Sequence, residues 1–292
     1  MRTFVELETF RPLSVQRIRQ ALGANSSSYL LKGPRGCGAD EFLGVMAQAL
    51  VSDCGGCGTC GSCVAVVDGE HPDVLWAQGD RAKAVPIEEL RRLVRFASLA
   101  PTQAPHRVVV IPDIDTLRLT FPVILKALEE PPTATRWLLS AALISAELAP
   151  VASRCFGIEL EAPTADEIAL RFQEAKVATT ERLIRWTRRR LDRVDLFARV
   201  PDAERYLAGF EDLPDLVRDD ARWSMELVRR LTPEDLATTA EAEELVQCGL
   251  EILIASHPEN ADWFARSTRA SMSLARHLPI QLVLAELILR HG

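Results

Sequence analysis

The sequence lacks any apolar run close to the ~20 residues that a helix needs to cross a membrane. Its first residues, Met1 to Glu6, also lack the apolar core of a secretory signal peptide. The first absence excludes a membrane-spanning chain, and the second argues against secretion. The expected location is therefore the cytoplasm.

Lysine is scarce and net positive charge is absent. Lysine occupies only positions 32, 83, 126 and 176, so arginine supplies most of the 34 basic residues, and the formal net charge is −7. Proteins that bind nucleic acid on their own are usually basic. Autonomous tight DNA binding is therefore disfavoured.

Length and composition are ordinary for a globular protein. The chain has 292 residues, of which 48% are hydrophobic and 26% charged. A chain of this length usually folds into two or three domains.

A glycine-rich loop, Gly33 to Asp40, follows a short apolar strand at Tyr29–Leu31 and precedes a helix with apolar residues at helical spacing. Strand, loop and helix in this order are the context of the phosphate-binding motif G-x-x-x-x-G-K-[ST]. The two motif glycines are present at the correct spacing, but alanine replaces the lysine and aspartate replaces the Ser/Thr. The loop predicts a degenerate nucleotide site that does not bind ATP, formed by Gly33, Gly36, Gly38, Ala39 and Asp40; a plain glycine-rich turn is the alternative.

A second strand end carries a matching defect. The apolar run Arg107–Ile111 is typical of a strand buried on both faces, and it is followed by Asp113. In phosphate-loop NTPases an aspartate at the end of such a strand holds Mg²⁺. Here the next residue is Ile114 rather than the acid that would orient water, so Asp113 is interpreted as part of the same degenerate site.

Four cysteines occur at three-residue spacing within a segment of otherwise small residues. Pairs of cysteines two residues apart, separated by flexible glycine, are the usual ligands of structural zinc. Clustered cysteines in a reducing compartment favour a metal over disulfides. The sequence predicts one structural Zn²⁺ site, with an iron–sulfur cluster or four unrelated thiols as alternatives, at Cys54, Cys57, Cys60 and Cys63.

Strands and helices alternate through residue 161, which predicts an α/β domain with a parallel sheet. Strands are predicted at 29–31, 74–76, 107–111, 137–140 and 158–160, with a short helix starting at Ser145. From residue 163 onward the pattern is helical only. Ser140, near one strand tip, either caps the next turn or faces a phosphate.

Three further motifs resemble the delta prime subunits of bacterial DNA polymerase III clamp loaders, which are relatives of the AAA+ proteins. They are His71-Pro72-Asp73, the run from Leu125 to Pro132, and Ser153-Arg154-Cys155. Together with the loop and the cysteines, they carry the resemblance over residues 1 to about 175.

The resemblance implies three parts: an AAA+-like α/β domain over 1–162 with a zinc module at 54–63, an all-α lid over 163–200, and an all-α collar over 201–292. It implies that Arg154 is an arginine finger given in trans to ATP on a neighbouring subunit. It also implies a stator subunit without intrinsic ATPase activity. The implied partners are motor subunits and a delta-like subunit in a hetero-pentamer, the sliding clamp, and primed DNA through the complex.

Two other functions stay open at this point. One is a motor-type clamp-loader subunit that hydrolyses ATP, and the other is a zinc-containing adaptor that binds DNA or a replication protein. For Arg154, the alternative to a finger is an ion pair with an acid of its own domain, such as Glu159. The basic run Arg188–Arg190 stands where a lid sensor arginine is expected, and a solvated helix face is the alternative.

Overall fold

The structure is a computed structural model that describes residues 2–78, 85–116, 122–132, 134–200, 203–216, 228, 231, 239–276 and 278–289. The chain divides into two compact units. The first comprises Met1–Glu167 and Arg189–Leu191, and the second comprises Ile168–Arg188 and Asp192–Gly292. The division into domain, lid and collar at residues 162 and 200 stays a prediction.

The first unit is built on a five-stranded sheet in which every neighbouring pair is parallel, in the order β2-β3-β4-β1-β5. The strands for residues 74–76 and 107–111 lie where the sequence predicted them. The last strand begins two residues earlier than predicted. The strands are β1 Ser28–Lys32, β2 Val74–Trp76, β3 Arg107–Ile111, β4 Thr135–Ala141 and β5 Phe156–Glu159.

Helices cover both faces of this sheet, and the strands alternate between two cores. Val108 and Val110 belong to one buried cluster, while Val109 and Ile111 belong to the other. Successive side chains of a strand point to opposite faces, so a continuous apolar run serves both cores. The helices are α1 Phe4–Phe10, α2 Pro12–Gly23, α3 Ala39–Val51, α4 Gly61–Val67, α5 Ile87–Ala97, α6 Pro122–Glu129 and α7 Ala149–Ala152.

The helix predicted from Ser145 begins instead at Ala149, with Pro150 in its first turn. Proline is well tolerated there because the first N–H groups of a helix have no intrahelical partner. The helix before Ser153 is therefore a single turn, Ala149–Ala152.

The remaining elements are all helical among the residues described. A separate apolar core fills the second unit, with Phe210, Leu250, Trp263 and Leu284 among its buried members. An α/β part followed by a helical part confirms the predicted fold class. These helices are α8 Ala165–Glu174, α9 Glu181–Thr187, α10 Leu191–Arg199, α11 Ala203–Glu211, α12 Leu213–Leu216, α13 Thr239–Ser256, α14 Ala261–Leu274 and α15 Ile280–Leu289.

Within the described ranges, none of the helices combines the length and the apolar character that a membrane span requires.

Candidate functional site

The glycine-rich loop lies at the carboxyl end of β1, where β4 and β5 flank it on either side. The chain leaves β1 toward one side of the sheet, and later crosses over to place β5 on the other side. Ligands of open α/β sheets bind at such a switch point. The loop therefore lies where ligands of such sheets bind, and its interpretation as a degenerate nucleotide site stays a prediction.

Two glycines give the loop its shape. Gly36 and Gly38 have φ angles of 71° and 75°, in the left-handed region that favours glycine. Gly33 is needed for a different reason: a Cβ at this position would lie 2.9 Å from Cys37 Sγ and 3.0 Å from Leu160 Cβ. Burial raises the pKa of the Cys37 thiol, so this cysteine packs as an apolar side chain.

Arg11 holds the loop from the side of α2. Its guanidinium is fully buried, donates to the carbonyl oxygen of Cys37, and lies 4.6 Å from the ring centroid of Phe42. Its Nη2 donates to Glu167 Oε1 at 2.8 Å, and Arg2 Nη1 donates to the same oxygen at 3.1 Å. A buried Arg–Glu–Arg cluster thus ties the N-terminal residues and the start of α8 to the loop.

Leu191 holds the loop from another direction. Its backbone N–H donates to the carbonyl oxygen of Gly36 at 2.7 Å, and its Cδ1 would lie 2.8 Å from a Cβ at Gly38. Donors of the chain itself thus hold two carbonyl oxygens of this loop, those of Cys37 and Gly36.

Asp113 and Ser140 meet at the same edge of the sheet. The Ser140 hydroxyl accepts the N–H of Asp113 at 3.0 Å, and Asp113 has a left-handed φ of 49°. This contact fixes the chain just after β3, which is neither of the two roles considered for Ser140 from the sequence, a cap on the next turn or a contact with phosphate. The aspartate predicted for the degenerate site lies at the strand end expected of it.

The four cysteines of the segment converge on one point. Their sulfur atoms all lie within 4.8 Å of one another, and Cys54 Sγ lies 3.5 Å from Cys60 Sγ and 3.6 Å from Cys63 Sγ. Four sulfurs at ~2.3 Å from a tetrahedral zinc are separated by about 3.8 Å. The donor set and its spacing therefore fit the predicted zinc.

The cysteine cluster is attached to the rest of the first unit at several points. Cys63 is buried at the start of α4, and Cys54 Sγ lies 3.2 Å from the hydroxyl of Ser52. Hydrogen bonding with Ser52 lowers the pKa of Cys54 to about 5, whereas burial raises the pKa of Cys63 to about 11. A Cβ at Gly58 would lie 2.6 Å from the Thr3 methyl group, so the cluster also packs against the start of α1.

Arg154 lies between α7 and β5, with a third of its side chain exposed. Its Nε donates to Glu129 Oε1 at 2.8 Å, its Nη2 donates to the same oxygen, and its Nη1 donates to the carbonyl oxygen of Pro150 at 2.7 Å. The acid of its own domain that it contacts is Glu129. Glu159, considered from the sequence, pairs with Lys32 instead.

The sheet register separates Arg154 from the glycine-rich loop. Phe156 pairs with Tyr29 and Glu159 pairs with Lys32, so β5 runs from the Arg154 side toward the loop. The three steps between these pairs span ~10 Å along the strand. Arg154 precedes these paired residues and the loop follows them. The two features therefore lie at opposite ends of the strands, Arg154 at the amino end and the loop at the carboxyl end.

The basic run is engaged by protein groups. Arg188 Nη1 contacts Glu251 Oε2 at 3.3 Å, and Arg189 Nε donates to the carbonyl oxygen of Pro163 at 2.6 Å. Both arginines have positive φ angles. The run is therefore not a fully solvated helix face.

Sequence reasoning missed the anchoring role of the His-Pro-Asp motif. Asp73 is fully buried and accepts the N–H groups of Thr102, Gln103 and Ala104 at 2.7, 2.7 and 2.9 Å. Arg107 lies 3.3 Å from its carboxylate. The signal available in the sequence was an aspartate directly before a strand. An aspartate side chain is rarely buried unless it is paired, so its place next to a strand predicts hydrogen-bond or charged partners.

The family described as "DNA polymerase III, delta subunit" matches residues 13–164, slightly more than half of the chain. The chain belongs to this family. It is thus an AAA+ clamp-loader subunit of the DNA polymerase III type, in agreement with the resemblance carried by its motifs.

A solved structure supports the fold over nearly the whole chain. The DNA polymerase III gamma subunit-related protein of Thermotoga maritima covers 96% of this chain and 98% of its own, with a TM-score of 0.55 and 16% identity. At that identity the similarity shows the fold alone.

Two curated relatives match about half of the chain. They are the DNA polymerase III tau subunits of Salmonella typhimurium strain LT2 and Escherichia coli strain K12, each 27% identical over 153 residues. These residues are 51% of this chain and 24% of either relative, so the chain spans about a quarter of their length.

Proposed function

We propose that this chain is the delta prime-type stator of a sliding-clamp loader, which binds no ATP and supplies Arg154 to the ATP site of a neighbouring subunit. The observation that carries the proposal is the placement of the glycine-rich loop and of Arg154 at opposite ends of the parallel strands. The loop has no lysine for the β- and γ-phosphates, while an exposed arginine lies where it cannot serve that loop.

The contacts of the loop support the absence of bound nucleotide. Arg11 and Leu191 engage the carbonyl groups of Cys37 and Gly36, so the loop is ordered by the chain itself. Asp40 adds a negative charge in the first turn of α3, where a triphosphate would otherwise be favoured. The loop is proposed to be a structural remnant of a nucleotide site.

The proposed partners follow from the family and from the proposed role. They are motor subunits and a delta-like subunit in a hetero-pentamer, the sliding clamp, and primed DNA reached through the complex, all in the cytoplasm. Zinc in the Cys54–Cys63 segment is proposed to be structural, because four thiolate ligands leave no open position for a substrate.

A calorimetric titration with ATP and Mg²⁺ tests the nucleotide part of the proposal. We expect no binding at micromolar ATP by the full chain and no measurable ATPase activity. Ala39→Lys alone restores no hydrolysis, because Asp40 and Ile114 remain. Micromolar binding of ATP by the unmodified chain would instead identify a motor subunit.

Co-purification tests the partner part of the proposal. We expect the zinc-loaded chain to form a stable complex with a motor subunit of its own organism. A chain that binds DNA or the clamp alone, and no motor subunit, would instead be a zinc-containing adaptor.

A further inference from the structure

We propose that Glu129 is a positioning residue for Arg154, an inference that rests on the proposed function. Glu129 accepts from two nitrogens of the guanidinium through one carboxylate oxygen, while the Pro150 carbonyl oxygen accepts from the third. These two acceptors lie on different elements, α6 and α7. The guanidinium plane is therefore fixed by its own domain while part of the side chain stays exposed.

The position of Glu129 in its helix supports this role. Glu129 is the last residue of α6, and buried Ile124 and Leu128 fix that helix in the core of the first unit. A carboxylate at the C-terminal end of a helix faces the negative end of the helix dipole. Glu129 gains nothing from its helix at that place, and its favourable contact is the one with Arg154.

Glu129 could either orient Arg154 for a neighbouring subunit or hold it away from that subunit. The strength of the ion pair, compared with the effect of an arginine finger, decides between these two roles. An exposed ion pair biases a conformational equilibrium by at most about fivefold. An arginine finger accelerates phosphoryl transfer by ~10³–10⁵-fold where it has been measured in other proteins. The pair with Glu129 is too weak to keep Arg154 away from a neighbour's phosphate, but it is strong enough to favour one orientation of the side chain.

The test uses the loader reconstituted with its motor subunits, with clamp- and DNA-stimulated ATPase activity as the main readout. Glu129→Ala is expected to lower the rate about two- to fivefold. Glu129→Gln keeps an acceptor oxygen and is expected to retain most of the rate. Glu130→Ala, at the adjacent exposed acid, is the matched control and is expected to match the unmodified loader.

A second readout separates positioning from general structure. In the ¹⁵N-labelled chain, the Arg154 Nε–H signal is expected to be protected from exchange with water. The protection persists in Glu129→Gln and is lost in Glu129→Ala, while the melting temperature is unchanged. In an Arg154→Ala background, Glu129→Ala is expected to cause no further loss of ATPase activity.

The outcomes distinguish this inference from the proposed function. If Arg154→Ala slows the loader while Glu129→Ala leaves the rate unchanged or raises it, Glu129 is not a positioning residue and the proposed function stands. An equal loss from Glu129→Ala with and without Arg154 overturns the inference in the same way. If Arg154→Ala leaves the rate unchanged, the proposed function itself fails.

Discussion

At the scale of single residues, Arg11 is a buried charge that joins the glycine-rich loop to the rest of the first unit. Its partners are a carbonyl group of the glycine-rich loop, a phenylalanine ring and the fully buried Glu167. Buried charges are tolerated only when they are paired and hydrogen-bonded. The loop is therefore coupled to the stability of the first unit.

Arg11→Ala is expected to lower the free energy of unfolding by about 3 kcal/mol, because it leaves Glu167 with Arg2 as its remaining charged partner among the described contacts. Urea denaturation of the full chain measures the change. Arg19→Ala, which breaks the exposed pair with Glu8, is the control and is expected to cost less than about 1 kcal/mol. Equal costs for the two variants would contradict the account.

At the scale of elements, the segment between α5 and β3 is fixed by one aspartate. Burial raises the pKa of Asp73. Hydrogen bonds from the N–H groups of Ala104, Gln103 and Thr102, together with the charge of Arg107, lower it by more than burial raises it. The net pKa therefore lies below its ordinary value of 3.8. A group with a lowered folded pKa stabilises the fold above its unfolded pKa. That contribution is lost as the pH falls through the folded pKa.

Asp73→Asn is expected to cost roughly 2–4 kcal/mol at pH 7, since three N–H groups lose a charged acceptor. The gap in unfolding free energy between variant and unmodified chain narrows as the pH falls below about 4. Chemical denaturation at several pH values measures this gap, with the exposed Asp68→Asn as the control. A gap that stays constant down to pH 2 would show that the charge of Asp73 contributes nothing.

The cysteine segment is the second element whose role can be tested. Replacing Cys57 and Cys60 together with serine is expected to abolish zinc binding, while Cys155→Ala keeps one zinc per chain. Elemental analysis of chelator-free protein gives the metal content, with iron measured in the same sample. Well under one zinc per unmodified chain would refute the assignment.

Loss of the metal is expected to have a local effect. Because Gly58 packs against Thr3 and Gly56 lies against the backbone of α3, faster hydrogen exchange should appear in α1 and in residues 54–63. The strands of the sheet are expected to keep their protection, because the core on one of their two faces contains no residue of α1, α3 or α4.

At the scale of the whole molecule, the sequence was informative where local pattern decides structure. The end of β3 was predicted because Pro112 follows its apolar run, and the start of β2 because Pro72 and Asp73 precede it. The cysteine cluster was predicted because ligand spacing is local. The contact of Arg11 with Glu167 joins residues 156 positions apart, and that of Arg154 with Glu129 joins residues 25 apart; neither separation follows from helix or strand periodicity.

The same limit applies to function. The defects at Ala39, Asp40 and Ile114 are visible in the sequence, but the placement of Arg154 at the opposite end of the strands requires the strand order and register. Topology thus separates this exposed arginine from the chain's own loop, which supports the proposed role on another subunit.

The most direct measurement of the central claim is the stimulated ATPase rate of the reconstituted loader carrying Arg154→Ala. The account predicts normal assembly, because one exposed side chain carries little stability, and a large but incomplete loss of rate, because other subunits supply their own arginines. Arg154→Lys is expected to rescue poorly, since an ammonium group lacks the planar fork of donors. Normal assembly with an unchanged rate of ATP hydrolysis and clamp loading would contradict the role of Arg154 in trans.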